Sequence, residues 1–155
     1  MINKNKKNYF LLVDYLKKEL NIEVVQKQNA DDAWYPKLNK IYINSNLKYR
    51  ERLYTLLHEA GHAFIDKNDV ISSNICFNKN TAKSVKSRKH LVCTLNEEIL
   101  AWNYGKTIAK SLDIYIDNVI YENCMTDAIM SYIKSGLNKV YGKSINADII
   151  KTYYV

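Results

Sequence analysis

The sequence has few of the residues that interrupt regular structure. Only one of its 155 residues is proline and only four are glycine. Because proline and glycine end helices and build tight turns, their scarcity favours helices over a fold with many turns. Apolar residues make up 47% of the chain, which excludes a disordered composition. A chain of this length buries one core, so we expect a single domain over residues 1–155.

Cysteines and long hydrophobic runs are also scarce. The three cysteines, Cys76, Cys93 and Cys124, are odd in number and form no CxxC pair, so they do not predict a disulfide framework. The apolar run near the N-terminus meets Asp14 after four residues. It is too short and too charged for a signal peptide or a membrane span. We therefore expect a cytoplasmic protein that does not contact a membrane.

Positive charge exceeds negative charge, with a formal net charge of +7. Such an excess permits a nucleic acid, an anionic surface or an acidic protein as partner, without choosing among them. The polar segment 78–90, NKNTAKSVKSRKH, is the most basic stretch, and its composition predicts a loop. An ordinary solvated surface explains the charge more simply than a dedicated nucleic-acid patch.

Hydrophobic periodicity indicates an α+β fold that is mainly helical, with a small N-terminal β-sheet. Strands are predicted in NIEVVQKQ and on both sides of a turn at Pro36–Asn39. Ser45 or Asn46 is expected to cap the second of four helices, and Thr94 the third, with Glu97 completing a capping box. The predicted helices cover residues 7–20, 47–66, 94–112 and 116–135, the last ending near Gly136.

The segment LYTLLHEAGHAFIDK contains the motif HExxH, formed by His58, Glu59 and His62. Residues four apart on a helix project from one face, so the two imidazoles can bind one Zn²⁺. Glu59 can then act as the general base toward a water molecule that the metal makes more acidic. Two surface histidines on an amphipathic helix are the competing interpretation, which the apolar residues on both sides of the motif disfavour.

A catalytic zinc ion usually has three protein ligands, and the extended motif HExxHxxGxxH is absent because Ile65 and Asn68 replace its glycine and histidine. The segment LNEEILAW, residues 95–102, is the best source of the third ligand. We favour Glu98, from which small residues at +3 and +7 let this helix approach the first closely. Glu97 remains an alternative, although its expected role in a capping box competes with metal binding.

Three further residues are candidates for the site. His90, the remaining histidine, could bind the metal or polarise an oxyanion. Its place at the end of the basic segment favours a surface location instead. A tyrosine hydroxyl can serve as an oxyanion donor. Tyr104 and Tyr132 lie on predicted helices, and the sequence does not single out either of them.

HEAGHAF, followed by a helix of the form E-x-x-A-W-x-x-G, resembles the zincin metallopeptidases that use a glutamate ligand. The small size, the N-terminal helix and the strands before HExxH resemble the ImmA/IrrE-type domain family within them. The resemblance covers residues 7–112 and implies a zincin-like fold, with 113–155 as a C-terminal helical extension. The usual family form E-x-E-A departs here at Leu100.

The resemblance implies a soluble zinc endopeptidase of a bacterium, phage or mobile element. It implies a protein or peptide substrate, such as a repressor-like transcriptional regulator. His58, His62 and Glu98 would bind Zn²⁺, and Glu59 would be the general base. The alternative hypothesis is a metal-stabilised, catalytically weak binding module, which contacts nucleic acid or an acidic protein through the basic segment 78–90.

Overall fold

The computed structural model describes residues 4–69 and 86–142, and within them the protein is mainly helical with one small sheet. This confirms the predicted α+β class. A 3₁₀ turn, Pro36–Leu38, joins the second strand to the third. In chain order the elements are α1 (Lys4–Leu20), β1 (Glu23–Lys27), β2 (Ala33–Tyr35), β3 (Lys40–Asn44), α2 (Tyr49–Lys67), α3 (Arg88–Ser111) and α4 (Asn118–Tyr141).

The sheet has the order β1-β3-β2, with β1 parallel and β2 antiparallel to β3. Ile41 and Ile43 of β3 are fully buried, and the residues between them are partly exposed, which is the alternation expected of a half-buried strand. Asn39 closes the turn before β3 in the left-handed region, with φ 54°. The strands and the turn predicted from the sequence are therefore confirmed.

The core lies between α1, the sheet, α2 and α3. Every one of these elements contributes apolar side chains that are almost completely buried. They include Leu12 and Leu16 of α1, Ile41 and Ile43 of β3, Leu53, Leu56 and Leu57 of α2, and Trp102 and Ile108 of α3. Helix α4 adds Tyr121, whose ring packs edge-on against Trp102 with centroids 5.1 Å apart.

Helices α2 and α3 are antiparallel and touch through their backbones. A Cβ atom on Gly61 would lie only 1.9 Å from the carbonyl oxygen of Ala101. A Cβ atom on Gly105 would lie 2.5 Å from the carbonyl oxygen of Leu57. Only glycine fits at these two positions, and the close approach predicted from Ala101 and Gly105 is confirmed.

Two predicted helix N-caps are wrong. Neither Ser45 nor Asn46 caps α2, whose N-cap is Lys48; its backbone N–H donates to Glu51 Oε2 at 2.9 Å. Helix α3 does not begin at Thr94, because Ser87 provides an earlier cap by accepting from the N–H of His90 at 3.1 Å. Residues 88–90 are consequently helical rather than part of a loop.

Helix α4 does not end near Gly136 but continues to Tyr141. Gly136 lies inside the helix, at a point where α4 packs closely on α3. A Cβ atom there would come within 2.1 Å of Leu91 Cδ1. Residues 78–85 of the basic segment, Cys76 and the tail beyond Gly142 lie outside the described residues. None of the described helices is long and apolar enough to cross a membrane.

Candidate metal centre

Helix α2 brings the two histidines of the HExxH motif together. They lie one turn apart on the face that meets α3, and their Nε2 atoms are 3.2 Å from each other. His58 is 8% exposed, so its imidazole is largely removed from solvent. Burying two imidazoles with their nitrogen atoms pointing at one another requires a proton or a cation between them, because two lone pairs repel.

Helix α3 supplies the third side chain. The glycine contacts with α2 bring Glu98 to the same point, where its Oε2 lies 3.3 Å from His58 Nε2 and 3.4 Å from His62 Nε2. The three atoms therefore form a nearly equilateral triangle. A tetrahedral zinc ion with bonds of about 2.0–2.1 Å separates its ligand atoms by about 3.3–3.4 Å. The triangle thus has the size of one face of a zinc tetrahedron.

The electrostatics of the triangle also fit a cation. Glu98 is 6% exposed, and its Oε2 has no hydrogen-bond partner. Burial alone would raise the pKa of Glu98, but the two imidazoles outweigh it and lower that pKa to about 2. Burial lowers the pKa of His62, and Glu98 reverses this, so the net shift is upward. The site therefore holds a buried negative charge that favours positive charge beside it.

Two nitrogen atoms and one carboxylate oxygen form a donor set that zinc accepts, and three protein ligands leave one tetrahedral position open. Within residues 4–69 and 86–142, His58, His62 and Glu98 form the only cluster of side chains that could bind a metal ion together. The residues present therefore fit the ion that the HExxH motif predicts.

Glu59 lies beside the triangle without being part of it. Its Oε1 is 3.8 Å from His58 Nε2, and its Oε2 accepts a hydrogen bond of 2.7 Å from the backbone N–H of Trp34. Burial raises the pKa of Glu59; His58, His62 and the Trp34 hydrogen bond lower it by less, so the pKa is raised overall. A carboxylate with a raised pKa is a stronger base than a solvated one.

The sequence analysis did not identify two contributors to the site, the backbone N–H of Trp34 and the ring of Trp102. The donor from Trp34 is a backbone group on the edge strand β2, so no side-chain pattern indicates it. Trp102 stacks on His58, with centroids 4.5 Å and planes 27° apart. Its position one turn after Glu98 was a usable signal, since residues four apart share a helix face.

The other candidate residues have different positions. Glu97 faces the outer nitrogen of His62, with Oε1 3.8 Å from Nδ1. The structure places His90 in the first turn of α3, outside the cluster that could bind a metal. Tyr104 packs on Phe64, with ring centroids 4.6 Å apart. Tyr132 lies on α4, and burial, followed by the negative charge of Glu98, raises its pKa.

Comparison with known families matches residues 17–93 to the IrrE N-terminal-like domain of peptidase family M78. The match covers about half of the chain, and it contains β1 to β3 and the whole of α2. It ends five residues before Glu98, so the match does not include the third side chain of the triangle. Comparisons with curated proteins and with solved structures gave no significant match. The HExxH helix, the preceding sheet and this match together show that the chain belongs to the ImmA/IrrE-type zincin family.

Proposed function

We propose that this protein is a zinc-dependent metallopeptidase that hydrolyses a peptide bond in a protein substrate. The observation that carries the proposal is the triangle of His58, His62 and Glu98, with the buried carboxylate of Glu59 beside it. Membership of a metallopeptidase family supports the same reaction class.

Zinc is the ion that the donor set favours, and the open fourth position is typical of a catalytic rather than a structural site. Bound by these three side chains, zinc would act as a Lewis acid that makes a water molecule more acidic and polarises the scissile carbonyl. Structural zinc sites are usually closed by four ligands and rich in cysteine. Of the two described cysteines, Cys93 is buried and Cys124 partly buried, and neither belongs to the cluster.

Glu59 performs the proton transfers of the reaction. One carboxylate oxygen accepts a proton from the attacking water, whose oxygen forms a bond with the carbonyl carbon of the substrate. The same carboxyl group then donates that proton to the leaving amine as the C–N bond breaks. The Trp34 N–H holds Oε2, which leaves Oε1 on the side of His58 as the oxygen that accepts the proton.

The substrate class follows from the family resemblance. Peptidases of the ImmA/IrrE type suggest a repressor-like transcriptional regulator as the protein that is cleaved, and we propose the same class here. The competing hypothesis of a binding module depends on the basic segment 78–90. Among the basic residues of that segment, the structure describes only Lys86, Arg88 and Lys89. A binding module without catalytic activity would also have no use for the buried carboxylate of Glu59.

The substitution Glu59→Gln tests the proposal. We expect the variant to bind zinc as the parent does and to lose about 100-fold or more of the rate of cleavage, since an amide cannot accept the proton. The measurement is zinc content together with cleavage of a fluorescence-quenched peptide library. Glu122→Gln is the matched control, because Glu122 is exposed and pairs only with Lys106 among the ion pairs seen. Cleavage by Glu59→Gln at the parent rate would show that the general base is misassigned.

A further inference from the structure

The imidazole of His58 lacks the partner that usually orients a metal ligand. Metal-binding histidines almost always donate the hydrogen of their second ring nitrogen to a carboxylate, a carbonyl or a water molecule, which fixes the ring. His58 directs Nε2 at His62 and Glu98, at 3.2 and 3.3 Å. Its other nitrogen, Nδ1, is buried and has no hydrogen-bond partner among the residues that the structure describes. In this part of the chain, packing is what remains to fix the orientation of the ring.

The indole of Trp102 provides that packing. Its ring lies face-on against the imidazole of His58, with centroids 4.5 Å and planes 27° apart. The ring of His62 packs edge-on beside it, at a centroid distance of 4.6 Å and an angle of 78°. The terminal torsion of a histidine side chain is otherwise broad. Rotation of the imidazole about this bond would drive its edge into the indole, so the stack limits the ring to one orientation.

Helices α3 and α4 hold Trp102 in place. Gly105, three residues further along α3, packs so closely on α2 that a Cβ atom would lie 2.5 Å from the carbonyl oxygen of Leu57, the residue before His58. From α4, the Tyr121 hydroxyl donates to the carbonyl oxygen of Trp102 at 2.9 Å, and its ring packs edge-on against the indole. The indole is therefore a fixed surface rather than a mobile neighbour.

The N–H of the Trp102 indole argues against a role in core filling alone. Nε1 is buried, and it too has no hydrogen-bond partner in the described part of the chain. Burying an unpaired N–H is unfavourable, so phenylalanine or leucine would fill an apolar space without that penalty. A broad aromatic face, in contrast, suits a second ring stacked on it. Contact with His58 therefore explains the tryptophan better than packing volume does.

We propose that Trp102 is a positioning residue of the metal centre, whose indole holds the His58 imidazole with Nε2 directed at His62 and Glu98. The stack takes the place of the hydrogen bond that Nδ1 lacks. The inference rests on the proposed metal site. Because Trp102 follows Glu98 by one turn, α3 supplies both a ligand and the surface that orients another ligand. Zinc affinity should therefore depend on an aromatic face at position 102 and not on the volume that the side chain fills.

Substitutions at Trp102 separate the aromatic face from the volume. Trp102→Met removes the face and leaves a flexible side chain that adapts to irregular gaps. Trp102→Phe also removes volume but keeps a ring. We expect zinc affinity, measured by competition with a chromophoric chelator, to fall about 10–100-fold in Trp102→Met and to be largely retained in Trp102→Phe. Trp102→Leu repeats the test with another apolar shape, so the result does not depend on the folding of one variant.

Two spectroscopic measurements follow the orientation of the His58 ring. In the metal-free parent, the ring current of the indole should move the imidazole proton resonances of His58 upfield, and His58→Ala identifies these resonances. The upfield shift should disappear in Trp102→Met and persist in part in Trp102→Phe. The visible spectrum of the cobalt-substituted protein should change in Trp102→Met, because one ligand reorients. A residue that only fills the core would move neither signal.

Two control variants separate this role from general damage to the core. Ile108 lies on the same helix, is also 5% exposed, and is outside the cluster that could bind a metal. Ile108→Ala should lose stability in urea unfolding and keep the zinc affinity of the parent. Tyr115→Phe is the surface control, because Tyr115 is 63% exposed and its ring contact with Lys4 survives the change. It should alter neither property.

The outcomes distinguish this inference from the proposed function. Zinc affinity equal to that of the parent in a folded Trp102→Met or Trp102→Leu would overturn the inference and leave the metal site intact. Equal losses in Trp102→Met and Trp102→Phe, or a comparable loss in Ile108→Ala, would also overturn it, since core damage would then explain the effect. A folded parent that binds no zinc, even with upfield His58 resonances, would refute the proposed function and the inference together.

Discussion

At the scale of single residues, two adjacent glutamates have different surroundings. Glu98 directs Oε2 at the Nε2 atoms of both histidines, whereas Glu97 faces the outer nitrogen of His62. A helix rotates by 100° per residue, so two neighbours cannot reach the same ion. We infer that Glu98 is the ligand and that Glu97, on the outer side of His62, is not.

This difference predicts unequal effects of removing each charge. Glu98→Gln should weaken zinc binding by more than about 100-fold, because it replaces a charged ligand rather than a supporting group. Glu97→Gln should weaken it by about 10-fold at most, since its carboxylate lies on the outer side of His62, 3.8 Å from Nδ1, and is not one of the three atoms of the triangle. Titration with a competing chelator gives both values. Equal losses, or a larger loss in Glu97→Gln, would reverse the assignment.

Sequence alone predicted some members of the site and not others. The HExxH spacing placed His58, Glu59 and His62 on one helix face, because that relation is local and depends only on helix geometry. Glu98 was favoured over Glu97 because of the small residues at +3 and +7 and because a capping box at Thr94 was expected to occupy Glu97; the structure places Glu98 in the cluster, although the cap is at Ser87. The Trp34 N–H could not be predicted, since every residue of a strand except proline carries the same group.

At the scale of secondary-structure elements, the metal centre depends on how closely α2 and α3 approach. The contact between Gly61 and the backbone of Ala101 brings Glu98 to the histidines, and Gly61 itself lies within the HExxH motif. Gly61 and Gly105, two of the chain's four glycines, both lie where α2 and α3 touch.

The substitution Gly61→Ala should separate the two helices. Its methyl group would lie 1.9 Å from a backbone oxygen that cannot move alone, so we expect a loss of about 2–3 kcal/mol in unfolding free energy and weaker zinc binding. Gly136→Ala is the control, because its methyl group meets only the flexible end of Leu91. It should change stability by less than about 1 kcal/mol. Urea unfolding measures both, and equal stability of Gly61→Ala and the parent would contradict the packing described.

Hydrophobic periodicity predicts where most strands and helices lie, but it does not predict the residues at which the helices begin and end. The end of α4 was misplaced because Gly136 looks like a helix stop in the sequence, yet it serves a contact between helices. The start of α3 was misplaced because Ser87 and Thr94 are both good caps, and local chemistry does not rank them. Packing of α4 on Leu91 explains the first case.

At the scale of the whole molecule, metal binding should be coupled to folding. The three ligand side chains come from two helices separated by the undescribed residues 70–85, so the site exists only when α2 and α3 are packed. A ligand that binds only the folded state at 1,000 times its Kd adds about 4 kcal/mol of stability. We expect removal of zinc by a chelator to lower the melting temperature of the parent.

The Glu98→Ala variant is the control for this coupling. Its melting temperature should respond little to the chelator, because its zinc affinity is already low. Differential scanning fluorimetry with and without chelator compares the two proteins under the same conditions. A parent whose melting temperature is insensitive to chelator, at zinc concentrations well above its Kd, would show that the ion does not bridge the two helices.

Helix α4 completes the molecule by packing on α3 and on the N-terminal part of α2. The Tyr54 hydroxyl of α2 accepts a hydrogen bond of 3.0 Å from the N–H of Asp117, which is also the N-cap of α4. Tyr121 then ties α4 to Trp102, the residue that stacks on His58. A continuous set of contacts therefore runs from α4 to His58.

The central claim is that three side chains from two helices bind one zinc ion. Its most direct test is zinc content by mass spectrometry on the purified protein, measured beside His58→Ala and Glu98→Ala, with Tyr115→Phe as control. We predict one zinc ion per chain in the parent and the control, and little or none in the other two variants. A folded parent that retains no metal after zinc is supplied, or a Glu98→Ala variant that binds zinc as tightly as the parent, would contradict the account.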